Sequence, residues 1–497
     1  MKINNLLKFA FIGASAFAVS CTDLASVEKD SNVVAVGKGN TAKGLKASDG
    51  LKSAYDSFEN YTDQQGTYAL GEHTSAEMIP PTRGVDWGDN GVWRTLDQHT
   101  LDGTNSWLVN SWNDLNAAAY KCNEVLAAEA EVANPQQIAE AKFLRAFFQW
   151  HIMDFWGKVP VRQTDQGADF NPIVLDRAAA FDAIIKDLTD AMPNLPKAGP
   201  ASKNNVANKA AANYLMAVLH LNKHIYKGGA VDKADMTKVI GFVDAIKADG
   251  YSLDANYFDN FKDAGGTKER IFSTGKGIGP QRRWMMTTHY SQPTEGWNGF
   301  ATLSDFYAKF DAADPRIGIP AKKDGTKFSG IGYGFLRGQQ YNDDGTKVID
   351  ARSNNPLIFT DDVILAGCPT DKGIRAIKYH PTTSAGNEYS LMRYGAAQMM
   401  KIEAMLRGGG GDATAALNEL RTARGAKAAT AADEKIVFDE WGRETYWEGH
   451  ARTYEIRFGK YTTGTGVSKT DAYTVLFPIP SAAIVANPNL KQNDGYR

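Results

Sequence analysis

The chain has 497 residues, of which 43 % are hydrophobic and 23 % charged, and its 55 Lys plus Arg against 57 Asp plus Glu leave a net charge of −2. That balance excludes a partner held by bulk charge, such as a nucleic-acid backbone or an anionic membrane surface, while the length is ample for a large core of roughly two to four domain-sized units. Three cysteines, at 21, 122 and 368, with neither CxxC nor HExxH, give a zinc site no ligand set.

The first 24 residues read MKINNLLKFAFIGASAFAVSCTDL. The apolar run Phe9–Val19 is shorter than the ~20 residues a spanning helix needs. With Lys2 and Lys8 before it and small residues after it, residues 1–20 read as a signal peptide. Ala18-Val19-Ser20-Cys21 then forms a lipobox, and Cys21 is the expected site of lipidation; the other reading is an ordinary signal peptide cut nearby. Residues 21–44, small, polar and rich in glycine, read as a flexible tether.

Residues 45–250 carry a helical pattern with a Trp-rich loop at 76–100. Its clearest helix follows Asn134, an N-cap with Pro135 at the first position, and ends at Gly157 before Pro160. Ala141, Leu144, Phe148, Ile152 and Phe155 fall on its buried face. Asp176 caps a second helix through Phe181, Ile184 and Leu188, and further helices carry Tyr214, Val218, Leu221 and Ile225, then Val239, Val243 and Ile246. Residues 251–388 are rich in turns and scattered aromatics, which predicts a loop-rich insertion with short strands. In the C-terminal part, 389–497, two helical stretches, 391–406 and 413–424, flank four glycines at 408–411, and an extended tail follows. Helix pairs in series predict a mainly α protein, a solenoid of tetratricopeptide-like pairs, although no clean internal repeat is visible.

Three stretches could carry chemistry. In TRGVDWGDNGVW, Arg83, Asp86, Trp87 and Asn90 share one short loop; in RRWMMTTHYSQPTEGWNGF, Trp284, Tyr290 and Trp297 repeat the combination. An indole face suits the apolar side of a sugar, and flanking polar groups suit its hydroxyls. For Trp284, Tyr290 and Trp297 the pattern fits an exposed platform and a core plug equally. Phe300, Phe306, Tyr307 and Phe310 read as core. In WGRETYWEGHARTYEIRFGKY, Glu440, Glu444 and Glu448 share a four-residue spacing that could suggest a glycosidase pair. Arg443, Arg452 and Arg457 nearby favour ionised, salt-bridged carboxylates instead. His73, His99, His289 and His380 show no metal-ligand spacing. Cys122 and Cys368 read as a buried small residue and a loop thiol, with a disulfide as the alternative that an oxidising compartment allows.

Taken together, the N-terminal Cys21, AEAKFLRAFFQWHIMDFWGKVPV, TRGVDWGDNGVW, GWNGFATLSDFY, ALNELRTARG, the glutamate-rich stretch and the closing FPIPSAAIVANPNLKQNDGY resemble the SusD/RagB family of surface lipoproteins of Bacteroidota. The resemblance implies four tetratricopeptide-like pairs, a variable ligand-bearing region, and a non-catalytic glycan-binding role at the outer membrane. The implied partners are an oligosaccharide and a SusC-like TonB-dependent transporter, with lipid anchorage facing the cell surface; the residues themselves indicate no cofactor and no metal-ligand set, and leave a loop-bound calcium and a peptide or other nutrient ligand open. It carries ligand contacts onto Arg83, Asp86, Trp87, Asn90, Trp284, Tyr290 and Trp297. A surface glycosidase using Glu440, Glu444 or Asp86, and an assembly scaffold that binds no sugar, are the alternatives. The prolines of the tail predict an extended segment wrapped on the body.

Overall fold

Helices dominate the described part of the chain, residues 45–496 apart from 128–132, 165, 168, 202–203, 263–266, 322, 383–387 and 465–469, in this computed structural model. The signal segment, the tether and Cys21 lie outside the described residues. In chain order the helices are α1 (Ala47–Asp56), α2 (Gly66–Glu72), α3 (Val92–Asp97), α4 (Ser106–Leu126), α5 (Pro135–Trp156), α6 (Arg177–Ala191), α7 (Lys209–Tyr226), α8 (Lys233–Ala248), the single turn α9 (Ser304–Tyr307), α10 (Tyr394–Ala404), α11 (Ala413–Ala423), α12 (Glu434–Thr445), α13 (Ala451–Arg457) and α14 (Ser481–Ala486). Consecutive helices pack as pairs, α4 on α5 and α7 on α8, with α6 joining α5 to α7 and α10 joining α8 to α11 and α12. This is the tetratricopeptide-like series that the turn spacing predicts. No helix among the described residues is long and apolar enough to cross a membrane.

Local chemistry sets the helix ends. The Asn134 side chain accepts from the Gln137 backbone N–H, Gln137 returns the bond, and Gly157 closes α5 at φ 65°. Asp176, Asn208 and Asp433 each accept from an N–H in the first turn of α6, α7 and α12. The five residues expected on the buried face of α5 are buried, and so are Phe143, Phe147, Met153 and Trp156 on other faces. A helix that buries apolar residues on more than one face belongs at the centre, and α5 touches α1, α4, α6 and α7.

Two sequence expectations shift. Leu391–Arg393, expected as helix, end a strand, Glu388–Arg393, paired antiparallel with Arg270–Gly277, so α10 begins at Tyr394. Glu448 lies beyond the end of α12, because Tyr446 is extended and Trp447 adopts φ 56°.

Short strands organise the region between α8 and α10: Arg375–Ile377 pairs with Tyr333–Leu336, which pairs with Gly318–Ile319, and Ala301–Thr302 pairs with Met78–Ile79 from outside the region. Phe300, Phe306 and Phe310 join the main core while Tyr307 is half-buried against it. A second, small core of Ile331, Leu336, Val348, Leu357, Phe359 and Ile377 lies within the region, with Trp284 against it. The tail is held on the end of α5: the Phe477 N–H donates to the Phe155 carbonyl at 2.8 Å and Asn493 Nδ2 to the Trp156 carbonyl at 2.8 Å. Cys122 and Cys368 are both buried free thiols, not a disulfide.

Candidate ligand-binding surface

Antiparallel pairing of Met78 with Thr302 and Ile79 with Ala301 sets the two tryptophan loops side by side, one leaving the first strand and the other entering its partner. The Trp87 indole N–H donates to the Trp297 carbonyl at 2.8 Å, and the two rings lie 6.3 Å apart. Behind Trp87 stand Phe300 at 4.8 Å and the buried Trp93 at 6.0 Å. Trp297 keeps 37 % of its surface exposed and Val85, at the loop tip, 94 %. The two tryptophans therefore form a supported apolar shelf facing solvent.

The glycines of GWNG permit this approach. A Cβ at Gly299 would sit 2.3 Å from the Trp87 ring, and one at Gly296 2.1 Å from the Thr288 carbonyl oxygen. Trp87, Asp89, Asn90, Glu295 and Asn298 adopt positive φ values of 63°, 34°, 52°, 51° and 53°. Each costs energy in a non-glycine residue, and such strain gathers at ligand sites. Asn298 shows how it is held: its amide donates to the Thr370 carbonyl at 3.1 Å and accepts from Arg375 at 2.8 Å.

Polar groups rim the shelf. Asp86 accepts from Arg352 Nη2 at 2.6 Å, and the same guanidinium lies over the Tyr290 ring at 4.3 Å. The bond to Asp86 raises the Arg352 pKa, and burial raises that of the Tyr290 hydroxyl. Asn90 is exposed on the same loop as Trp87. Arg352 carries no sequence signal beyond its turn, because ARSNN holds no aromatic residue, and the sequence reading passed over it.

Two candidates stand elsewhere. Arg83 is 1 % exposed; it donates to the Pro369 carbonyl and to the Lys372 carbonyl at 2.9 Å, and burial lowers its pKa. It is a pin that fixes the loop at 368–372, without a face for ligand. Trp284 is half-buried on the small second core with the Arg283 guanidinium 4.7 Å from its ring, and among the described residues it makes no ring contact with Trp87 or Trp297. The core plug is the reading its surroundings favour.

The carboxylates near α12 are committed to cations. Glu444 is fully buried and accepts from Arg393 at 2.6 Å, Arg424 at 2.6 Å and Arg316 at 3.2 Å. Burial alone would raise these acids, but Arg316, Arg443 and Arg421 hold Glu440 down at about 2, and Arg393 and Lys378 hold Glu448 at about 2. A general acid needs the opposite shift and access to a glycosidic oxygen. Glu440 and Glu444 have neither. Asp86, the third carboxylate of that alternative, is the one bonded to Arg352. Among the described residues no group of three or more His, Cys, Asp or Glu is arranged to hold a metal ion. His73 instead stacks on Trp93 at 5.0 Å, and His99 on Tyr461 at 4.2 Å.

The family model described as SusD-like, starch-binding and associating with the outer membrane matches residues 91–209. Over 73 % of each chain, the protein is 26 % identical to the starch-binding protein SusD of Bacteroides thetaiotaomicron. The chain is thus similar to SusD-like proteins both in the matched stretch and over most of its length. Among solved structures it superposes on a laminarin binding SusD-like protein with a TM-score of 0.68 at 18 % identity, covering 90 % of this chain and 99 % of that one. Surface glycan-binding protein A from Bacteroides thetaiotaomicron in complex with laminarihexaose gives the same TM-score and identity over 90 % and 98 %. These likenesses establish a shared fold. The stretch matched by the family model runs along the helices from α3 to the start of α7, whereas Trp87, Tyr290 and Trp297 lie outside it.

Proposed function

We propose that this protein is a non-catalytic, glycan-binding lipoprotein of the outer membrane, anchored through Cys21, that captures oligosaccharides at the cell surface and hands them to a SusC-like TonB-dependent transporter. The observation that carries the reading is the shelf formed by Trp87 and Trp297, rimmed by Asp86, Arg352 and Tyr290. A sugar stacks its C–H face on the indoles, and the carboxylate, guanidinium and phenol bond its hydroxyls. The family's named members, a starch-binding protein and laminarin-binding ones, support the ligand class. Capture and release need only differential affinity, so no group must donate a proton. Residues 45–250 and 389–497 serve as the scaffold in this reading, and 251–388 with the loop at 76–100 as the ligand region.

The test is binding of the soluble body, Thr22 to Arg497, to a panel of plant, microbial and host polysaccharides, with the same samples assayed for released sugar. Binding without release, weakened at least tenfold by Trp297→Ala, is the expected result. Released sugar would make the protein an enzyme; no binding across the panel would favour a scaffold or a ligand of another class.

A further inference from the structure

A second concavity, of about 510 Å³, lies on a different part of the molecule, between α4, α5 and the C-terminal tail. Its volume falls in the range of small-molecule sites. One face of α4 supplies Trp112, Asn113, Asn116 and Tyr120, α5 supplies Gln149, and Asn171 stands opposite beside α14. None of the shelf residues lines it.

Two polar side chains in this groove are left over by the fold. Gln149 is 7 % exposed and Trp112 4 % exposed, yet neither the Gln149 carboxamide nor the Trp112 indole N–H bonds to any described residue. Neither is a sealed, unsatisfied group; both side chains line the groove, and the Gln149 carboxamide meets its open space, where a ligand can reach it. Trp112 is fixed edge-on against Trp156 at 5.1 Å, and Asn116 is braced by donating to the Trp112 carbonyl at 2.8 Å. Among the described residues the lining contains no Asp, Glu or Lys, and its one cation, Arg162, lies near the Tyr120 ring at 5.7 Å. Several carboxamides over an aromatic floor offer donors and acceptors without net charge, the complement of a ring of hydroxyls with an apolar face.

We infer that this groove is a second saccharide site, taking a short neutral oligosaccharide of two or three sugars independently of the tryptophan shelf. It rests on the groove's own residues and stands whether or not the shelf binds glycan. Weak binding here would hold a second stretch of a long chain and raise its overall retention without strengthening either site.

The test uses the full-length protein with the shelf disabled by Trp297→Ala, titrated with maltotriose, laminaritriose and xylotriose by saturation-transfer NMR and calorimetry. At least one trisaccharide is expected to bind that variant, and adding Gln149→Met is expected to weaken it at least fivefold. Met keeps the volume of Gln, so the urea midpoint should stay level or rise; a fall would mean that Gln149 has a structural role and would overturn the inference. The rim pair Asn113→Ala with Asn171→Ala, both exposed, provides the same binding readout at little risk to folding. The inference fails if none of the three sugars binds the Trp297→Ala protein, or if the binding that remains is indifferent to the groove substitutions. The reading of the shelf fails separately, if Trp297→Ala in the otherwise native protein leaves polysaccharide binding unchanged.

Discussion

Gly299→Ala adds one methyl group and tests the construction of the shelf directly. The new Cβ would lie 2.3 Å from Cε2 and Cζ2 of Trp87 and 2.5 Å from the Met286 carbonyl oxygen, against an ordinary contact of 3.4 Å or more. Backbone blocks retreat on one side, so the indole must move by about 1 Å. That shift stretches the 2.8 Å bond from Trp87 to the Trp297 carbonyl past hydrogen-bonding range. Overpacking costs about 1–3 kcal/mol and the lost bond about 1 kcal/mol more. Stability should therefore fall by about 2–4 kcal/mol in urea unfolding, with the far-UV circular dichroism unchanged. Affinity for whichever polysaccharide the parent binds should fall about tenfold, the ~1.4 kcal/mol expected when one aromatic face leaves its place. Calorimetry on the folded variant reads this, and tryptophan fluorescence reports the moved indole. Parental affinity in Gly299→Ala, with Trp87 displaced, would refute the claim that Trp87 and Trp297 act as one surface.

Other expectations follow from buried charge. Glu444→Gln leaves Arg316, Arg393 and Arg424 short of a counter-charge in a fully buried cluster, and should cost about 3–5 kcal/mol in urea unfolding; a loss below 1 kcal/mol would show the cluster to be slack. Burial pushes the Glu455 carboxyl up to about 8, so its ionisation opposes folding: its contribution is complete below the ordinary carboxylate pKa and disappears as pH rises through 8. Glu455→Gln should accordingly gain stability over the parent between pH 5 and pH 8, and parallel urea midpoints at the two pH values would reject this. Burial raises the Cys122 thiol to about 12, so iodoacetamide should leave it unmodified in the native protein and label it on unfolding, as mass spectrometry would show.

The sequence disclosed what is local. Asn134, Pro135 and Gly157 frame α5 because capping and turn chemistry act over three or four residues, and the pairing of helices follows from their spacing. The two tryptophan loops were legible as composition, and their meeting depends on a strand pair of only two residues on each side, too short to leave a periodic signal. Long-range partners were the least visible. Arg83 looks like any loop arginine until the 368–372 carbonyls surround it, and Arg352 gains its place only because Asp86 and Tyr290 arrive from distant segments. Leu391–Arg393 continue a helical pattern, yet the ribbon partner at 270–277 draws them into a strand, tertiary context overriding local preference.

The ends of the strand-bearing region have a further consequence. Glu269 and Arg393 are paired at 3.2 Å, the Tyr394 N–H bonds the Glu269 carbonyl at 2.9 Å, and Arg270 sits opposite Arg393 in the ribbon. A segment of more than a hundred residues thus leaves the helical body and re-enters it at one point, locked there by Arg424 and Glu444. Closing a longer or shorter segment at such a point changes the chain entropy only logarithmically. The helical body is in effect a socket, into which a segment of different length can be grafted provided that it refills the core positions of Phe300, Phe306 and Phe310 and replaces Arg316 beside Glu440 and Glu444. A graft has to carry a partner for Met78 and Ile79, since the only strand of the opposite loop is completed from inside the exchanged piece.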